Sequence, residues 1–198
     1  MIKRLFDIFF SFSGLLIFSP LFVVVAVLIK IDSKGPVFFK QERIGKNFKS
    51  FNIYKFRTMK NNAEKHGPKI TVRGDSRVTG IGRFLRKYKI DELPQLFNVL
   101  KGDMSFVGPR PEISEYVQLF KSDYKKLLGI RPGITDPASI KYSNEEAVLY
   151  SSGNWEEEYK TRILPEKIRL SLNYLKKRNI LTDLKIILET VLRTPGTY

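Results

Sequence analysis

An uncharged, mostly apolar run over residues 8–29 opens the hydrophobic pattern of the chain. It exceeds the roughly 18 apolar residues that indicate a membrane-spanning helix. It is also longer than the apolar core of a secretory signal peptide, and no small-residue cleavage pattern precedes Lys30. We therefore expect a retained membrane segment at residues 1–31 and a separate domain at residues 32–198.

Ser19-Pro20 interrupts this apolar run near its middle. Proline lacks a backbone N–H and clashes with the carbonyl group four residues earlier, so a kink or break is predicted there. Each half then forms about 14–18 Å of helix, roughly half of a hydrocarbon core of about 30 Å. A re-entrant hairpin with both ends in the cytoplasm fits this length, and basic residues on both flanks favour it. A proline-kinked spanning helix is the alternative that the pattern leaves open.

Beyond residue 32 the composition becomes basic and mixed, and strand-like spacing gives way to helical spacing. Alternating apolar positions in residues 37–40 and 51–56 predict a small β-hairpin bounded by glycine-containing turns. Helical spacing predicts helices over residues 78–88, 92–100, 112–128, 166–177 and 182–193. The predicted fold class is α+β and mainly helical. The apolar face of the last helix indicates either core packing or an amphipathic helix on the membrane surface.

The composition restricts the possible partners, metal sites and nucleophiles more than it restricts the fold. The chain has 35 Lys and Arg residues and 20 Asp and Glu residues, which give a formal net charge of +15. This charge favours phosphorylated substrates, anionic lipid or nucleic acid as partners. The chain has no cysteine and one histidine, His66. Disulfides, thiolate zinc sites and multi-histidine metal sites are therefore excluded. A covalent mechanism then needs Ser, Thr, Lys or a carboxylate as its nucleophile.

Asp91 and Glu92 form the strongest candidate for a chemical centre. These adjacent carboxylates follow a basic run over residues 83–89 and precede an amphipathic pattern that ends at Gly102. Asp91 is thus a natural N-cap with Glu92 in the first helical turn, an interpretation that needs no catalysis. The surrounding cations instead favour ionised carboxylates that divide the roles of nucleophile and magnesium ligand. Because neighbouring helix residues point about 100° apart, the two would contact different atoms of one diphosphate.

Residues 91–111, DELPQLFNVLKGDMSFVGPRP, strongly resemble the bacterial sugar transferases called monotopic phosphoglycosyl transferases. Supporting matches are KRLFD at residues 3–7, Ser19-Pro20, RIG at 43–45, YKFRTM at 54–59 and RPGIT at 131–135. The resemblance points to the small form that consists of the catalytic domain alone. It implies transfer of a phosphosugar from a UDP-sugar to polyprenyl (undecaprenyl) phosphate with release of UMP, the first membrane step of bacterial glycoconjugate synthesis.

The resemblance also implies roles for individual residues. The membrane helix would re-enter at Ser19-Pro20, and the catalytic domain would lie on the cytoplasmic face of a bacterial inner membrane. Asp91 would be the nucleophile that forms a covalent aspartyl-phosphosugar, Glu92 the Mg²⁺ ligand and Arg86 a phosphate anchor. The uridine side would be lined by Pro109, Arg110 and Pro111.

Charge and motif position add Lys55, Arg57 and Arg131 as candidate substrate-binding residues. The first two suit a phosphate site or else lipid headgroups, whereas Arg131 lies in an Arg-Pro-Gly turn that also suits a structural role. After Thr135 the chain has Asp-Pro-Ala-Ser where many relatives have Gly, a variable residue and Ala-Gln. Residues 141–162 also differ from the shortest relatives, so we assign no sugar from the resemblance.

Two other classes of function compete with a transferase. A membrane-tethered nucleic-acid-binding protein would use basic residues interleaved with Phe48, Phe51 and Tyr54, but no RNA- or DNA-binding signature accompanies them. A non-catalytic membrane scaffold would need Asp91 only as a helix cap. The expected partners are a UDP-sugar, undecaprenyl phosphate and membrane lipids, without nucleic acid. Mg²⁺ is the expected cofactor, and a homodimer is left open.

Overall fold

The computed structural model describes residues 2–61, 63, 74–150 and 154–192. Over these residues the protein is mostly helical and carries a small antiparallel hairpin, in agreement with the predicted α+β class. His66 and Arg193, the predicted end of the last helix, lie outside the described residues. The helices are α1 (Ile2–Ile17), α2 (Ser19–Asp32), α3 (Gly80–Lys87), α4 (Gln95–Lys101), α5 (Ser114–Leu119), α6 (Lys121–Leu127), α7 (Pro137–Lys141), α8 (Glu145–Tyr150), α9 (Trp155–Glu158), α10 (Leu164–Lys177) and α11 (Ile180–Leu192). The strands are β1 (Phe38–Ile44), β2 (Ser50–Phe56), β3 (Ser105–Val107) and β4 (Gly133–Thr135).

The two N-terminal helices, α1 and α2, are bent by 59° where they meet. Pro20 lies in the first turn of α2, where its missing N–H costs no helical hydrogen bond. Ser19 Oγ donates a hydrogen bond to the carbonyl oxygen of Leu16 at 2.8 Å, which satisfies a group freed at the end of α1. Among the described helices, none has by itself the length and apolar composition of a membrane span, and only α1 and α2 taken together have them. The break predicted at Ser19-Pro20 is confirmed.

One face of this helix pair is apolar and open, while the other face anchors it. Ile17 and Val23 are 72% and 65% exposed. Asp7, in contrast, is buried and accepts hydrogen bonds from Ser105 Oγ at 3.0 Å and from the backbone N–H of Phe106 at 3.1 Å. The polar contacts therefore fix α1 to β3 and leave a bare apolar surface.

The β1–β2 hairpin packs against α4. Phe38 lies opposite Phe56 in an antiparallel register, so the predicted hairpin is confirmed, although β1 continues past residue 40. Asn98 of α4 is buried; its side chain donates to the carbonyl oxygen of Asn52 at 2.7 Å and accepts from the backbone N–H of Tyr54 at 3.0 Å. This amide fixes α4 against β2 because it satisfies backbone groups on the strand.

The sequence pattern does not predict the short parallel pair formed by β3 and β4. Ser105 lies opposite Gly133, and Val107 lies opposite Thr135. A Cβ atom at Gly133 would lie 2.1 Å from the backbone nitrogen of Gly108, so only glycine allows the strands to approach this closely. Three-residue strands are too short for an alternating pattern to reveal them.

Two predicted helices differ from the observed ones. The helix predicted over residues 112–128 is broken at Phe120, whose φ of −122° and ψ of 40° separate α5 from α6. The helix predicted over residues 92–100 begins only at Gln95, after Pro94. The helices predicted over 78–88 and 166–177 correspond to α3 and α10, and α11 covers the described part of the last one.

The largest hydrophobic core joins α5, α6, α8 and α10. Leu149 and Ile163 are completely buried in it, and the hydroxyl group of buried Tyr159 donates to Glu112 Oε1 at 2.6 Å. The described part of segment 141–162 is therefore built into the domain.

Candidate active site

Asp91 and Glu92 lie in a 3₁₀ turn, Ile90–Glu92, between α3 and α4. Lys89 enters the turn with a φ of 56°, an uncommon backbone conformation for a residue other than glycine. Because α4 begins only at Gln95, the interpretation of Asp91 as a helix N-cap is wrong. Helix capping therefore does not explain why the two carboxylates are here.

Two cations hold Glu92 in place. Its Oε1 accepts hydrogen bonds from Lys55 Nζ and Arg110 Nη2, each at 2.7 Å. Burial by itself would raise the pKa of Glu92, but Arg110 and Lys55 outweigh burial and hold this pKa well below its usual value. In the same cluster Glu92 raises the pKa of Arg110, whereas burial lowers the pKa of Lys55. Glu92 is therefore ionised and fixed at neutral pH, and two of the predicted substrate-binding residues contact the predicted metal ligand.

Asp91 combines burial with a carboxylate oxygen that has no partner among the described residues. It is 7% exposed, and its Oδ1 has no hydrogen-bond partner among the described residues. Burial raises the pKa of Asp91 to about 6; Lys55 and Arg86 oppose this effect, and Glu92 adds to it. Buried polar atoms without a partner are rare in folded proteins. The free oxygen therefore marks a position where the carboxylate is available to a ligand.

Arg86 reaches the cluster from α3. Its Nε donates to Thr58 Oγ1 at 2.9 Å, and its Nη1 donates to Glu146 Oε1 at 2.9 Å. A Cβ atom at Gly82 would lie 2.1 Å from the carbonyl oxygen of Thr58, so glycine is needed for α3 to lie against this residue. The close approach places the Arg86 guanidinium near enough to lower the pKa of Asp91.

Arg57 and Arg131 make their contacts away from the carboxylate pair. The Arg57 guanidinium donates to the carbonyl oxygens of Ser33 at 2.6 Å and Lys34 at 2.9 Å, just beyond α2. Arg131 Nε donates to the carbonyl oxygen of Gly102 at 2.7 Å, just beyond α4. Both side chains satisfy carbonyl groups at helix ends. A substrate-binding role for either stays a prediction that these contacts do not favour.

Pro109 and Pro111 flank Arg110 on the segment that follows β3. A cavity of about 20 Å³, large enough for roughly one water molecule, lies beside Pro109 and Arg110 and is also lined by Asp136. Asp136 is completely buried and caps α7, since its Oδ1 accepts from the backbone N–H of Ser139 at 2.7 Å. The Asp-Pro departure thus begins a helix. Uridine binding by the Pro-Arg-Pro segment stays a prediction.

A divalent metal ion would find one free carboxylate oxygen on Glu92. Both hydrogen bonds to this side chain go to Oε1, and none within the described residues reaches Oε2. The same residues contain no group of three His, Cys, Asp or Glu that suits a metal ion. Mg²⁺ commonly binds through one or two carboxylates plus substrate phosphates and keeps several waters. The donor set therefore fits Mg²⁺ that binds together with a phosphorylated ligand.

The sequence pattern does not identify two residues that contact Arg86: Thr58 and Glu146. Thr58 lies within YKFRTM, so motif membership is the signal that points to it. Glu146 contacts Arg86 across 60 positions of sequence, and no local pattern connects the two.

A family model described as "Bacterial sugar transferase" matches residues 1–195. A UDP-N-acetylgalactosamine-undecaprenyl-phosphate N-acetylgalactosaminephosphotransferase of Aeromonas hydrophila is 42% identical over 195 residues, which are 96% of this chain and 43% of that protein. An undecaprenyl-phosphate glucose phosphotransferase of Komagataeibacter xylinus is 40% identical over 96% of this chain and 35% of its own length. An exopolysaccharide production protein of Rhizobium leguminosarum bv. phaseoli is 40% identical over 96% of this chain and 93% of its own length. The chain thus spans less than half of the first two relatives and most of the third.

Proposed function

Because this chain belongs to the bacterial sugar transferase family, we propose that it transfers a phosphosugar from a UDP-sugar to undecaprenyl phosphate and releases UMP. Two relatives support this reaction, since their names specify undecaprenyl phosphate together with N-acetylgalactosamine or glucose. Asp91 carries the proposal, because its buried carboxylate has an unpaired oxygen beside Glu92 and several cations. The reaction would be the first membrane step of glycoconjugate synthesis, at the cytoplasmic face of the inner membrane.

The proposed reaction consists of two displacements at one phosphorus atom. The Asp91 carboxylate attacks the sugar-linked phosphorus, and the bond from this phosphorus to the bridging oxygen breaks, so UMP leaves with that oxygen. A phosphate oxygen of undecaprenyl phosphate then attacks the same phosphorus and releases the Asp91 carboxylate. Two steps let a substrate from water and a substrate from the bilayer use one site in turn.

The cations of the cluster orient and neutralise the diphosphate. Arg86 is the phosphate anchor, and Lys55 and Arg110 hold Glu92 so that its Oε2 stays free. This oxygen would hold Mg²⁺ together with phosphate oxygens of the substrate. Bound Mg²⁺ supplies positive charge that stabilises charge on the transferring phosphoryl group.

Incubation with UDP-sugar alone tests this function. When undecaprenyl phosphate is omitted, we expect a phosphosugar adduct on the intact protein by mass spectrometry and a burst of about one equivalent of UMP. Parallel reactions with UDP-N-acetylgalactosamine and UDP-glucose identify the accepted sugar. Later addition of undecaprenyl phosphate should remove the adduct. Normal steady-state transfer without an adduct or a burst would contradict the covalent step.

The rate of adduct formation should rise with pH and level off above about pH 6, because the pKa of Asp91 is raised to about 6. The carboxyl group is neutral below this value and cannot attack, whereas above it the group is ionised. The single-turnover rate should therefore fall about tenfold per pH unit well below pH 6. Rapid-quench measurement of UMP release from about pH 5 to pH 8 checks this profile. A rate that stays constant down to about pH 5 would show that the nucleophile has an ordinary carboxylate pKa.

The helix pair α1–α2 forms, in this proposal, a re-entrant hairpin with both ends on the cytoplasmic face. Its 59° bend, its open apolar face and its two positive flanks support this topology. The chain has no native cysteine, so the variants Ile2→Cys and Lys34→Cys each carry a single thiol. Both should react with a membrane-impermeant maleimide from the same side of sealed vesicles. Reaction from opposite sides would establish a spanning helix instead.

Two further variants complete this topology experiment. Lys125→Cys, on α6 of the catalytic domain, reports the side on which the domain lies and should match the other two. Pro20→Ala restores a residue that permits a continuous helix and should move part of the population toward a spanning topology.

A further inference from the structure

Glu146 pairs with Arg86, the proposed phosphate anchor. Its Oε1 accepts a hydrogen bond from Arg86 Nη1 at 2.9 Å, while Thr58 Oγ1 accepts from Arg86 Nε at the same distance. Arg86 Nη2 has no hydrogen-bond partner within the part of the chain that the structure describes. Glu146 therefore takes a guanidinium position that a phosphate oxygen of the substrate would otherwise use.

The helix that carries Glu146 is packed into the core, whereas the Glu146 side chain is half exposed to solvent. Leu149 of α8 is completely buried in the largest hydrophobic core. Glu145 forms an ion pair with Lys167, which is buried and lies over the ring of Tyr159. The side chain of Glu146, in contrast, is 49% exposed. Rotation of this side chain alone can release Arg86 without any movement of α8.

The Glu146–Arg86 contact is weak enough for a substrate to replace it. Ion pairs with such exposure contribute little, because water and salt screen them and both side chains lose rotational freedom. A diphosphate brings at least two negative charges and several acceptor oxygens, and such anions bind guanidinium groups in a bidentate manner. The electrostatic gain for the diphosphate therefore exceeds that for a single exposed carboxylate.

We propose that Glu146 is a positioning residue that pairs with the Arg86 guanidinium in the substrate-free protein and is displaced from it by the substrate diphosphate. This inference rests on the proposed function, because it takes Arg86 as the phosphate anchor. Glu146 competes with the substrate for one guanidinium group. Its charge therefore weakens substrate binding, while the transfer step itself depends on it less.

Binding of UDP tests the competition directly. UDP in the presence of Mg²⁺, titrated by calorimetry, should bind Glu146→Gln about two- to five-fold more tightly than the wild-type protein, the range of an exposed ion pair. Glu146→Asp keeps the charge and should bind within about two-fold of wild type. Glu189→Gln is the matched control. Glu189 on α11 is 48% exposed and also pairs with a basic residue, Lys185, so its substitution removes the same charge at a comparable exposure. It should leave UDP affinity unchanged.

UDP affinity in an Arg86→Gln background separates competition for Arg86 from a merely structural role of Glu146. In an Arg86→Gln background, addition of Glu146→Gln should have no effect on UDP affinity, since the competing contact is already absent. In steady-state assays Glu146→Gln should lower KM for the UDP-sugar by about two- to five-fold and change kcat by less than about two-fold. A structural role would instead lower the melting temperature and leave KM and UDP affinity unimproved.

Three results would overturn the inference. Equal or weaker UDP binding by Glu146→Gln would show that the carboxylate does not compete. A gain that persists in the Arg86→Gln background would show a general charge effect, not displacement from Arg86. An equal gain from Glu189→Gln would lead to the same conclusion. Failure of the proposed function looks different: the wild-type protein would then release no UMP from a UDP-sugar in the presence of undecaprenyl phosphate and Mg²⁺, whatever the UDP affinity of Glu146→Gln.

Discussion

Replacement of Asp91 by asparagine is expected to abolish the phosphosugar adduct and to reduce transfer by at least about 10³-fold, the order of loss when a covalent nucleophile is removed. Asparagine has nearly the same shape but lacks the negative charge that attacks phosphorus. Asp103→Asn is the matched control, because Asp103 lies in the same motif block and its carboxylate pairs with exposed Lys101 at 3.3 Å. It should keep nearly full activity. An adduct that survives in Asp91→Asn would identify another residue as the nucleophile.

The same substitution should make the protein more stable. Burial raises the pKa of Asp91 from 3.8 to about 6, so the folded protein binds a proton at Asp91 more tightly than the unfolded chain does. Stability is therefore lost as pH rises from about 4 to 6 and the buried carboxyl group ionises. Asp91→Asn should recover about 1–3 kcal/mol above pH 6, and this gain should vanish near pH 4. Thermal unfolding of both proteins across this range checks the result, and a gain independent of pH would contradict the electrostatic explanation.

Glu92→Gln should reduce transfer by about 10²–10³-fold, the loss expected for an electrostatic stabiliser of a charged transition state. Glutamine keeps the size of the side chain, but it removes the charge that pairs with Lys55 and Arg110 and the free oxygen proposed for Mg²⁺. The variant should also require a higher Mg²⁺ concentration for half-maximal activity. Chelation of Mg²⁺ by EDTA should abolish turnover of the wild-type protein.

Glu166→Gln is the control for this experiment. Lys141 and Tyr142 lower the pKa of Glu166 to about 2, so this residue is also an ion-paired glutamate, but it lies on α10. Its replacement should leave the Mg²⁺ requirement unchanged. Full activity in EDTA, or an unimpaired Glu92→Gln variant, would remove the metal-binding role from Glu92.

The sequence predicts which candidate site residues lie close together better than it predicts the contacts of each side chain. Asp91 and Glu92 are found from charge pattern and motif, and the structure does place them beside Lys55, Arg86 and Arg110. The pattern also suggests a helix cap, because acids before an amphipathic run usually cap it. The structure excludes a cap, because α4 begins only after Pro94 and the two acids lie in a separate turn before it.

Lys55 and Arg57 show why side-chain contacts are harder to predict. Two residues apart on a strand would share one face, so both suit the same phosphate site. β2 ends at Phe56, however, and the Arg57 guanidinium turns to the carbonyl groups beyond α2. That contact joins segments 23–24 positions apart, and strand periodicity contains no information about it. The Glu146–Arg86 pair is not predictable for the same reason.

Lys3 gives the first helix a partner near the other end of the chain. Its Nζ donates to the carbonyl oxygen of Val107 at 2.8 Å and to the carboxylate of Asp183, 104 and 180 positions away. During synthesis α1 leaves the ribosome first, and at about 5–20 residues per second Asp183 follows on the order of 10–40 s later. The contact of Arg4 also forms only after α4 has been synthesised, because Arg4 donates to the carbonyl oxygen of Val99 near the end of α4. Final docking of α1 against α4 and β3 is therefore a late event in biogenesis, and a nascent chain stalled before residue 183 would hold α1 without its ion pair to Asp183.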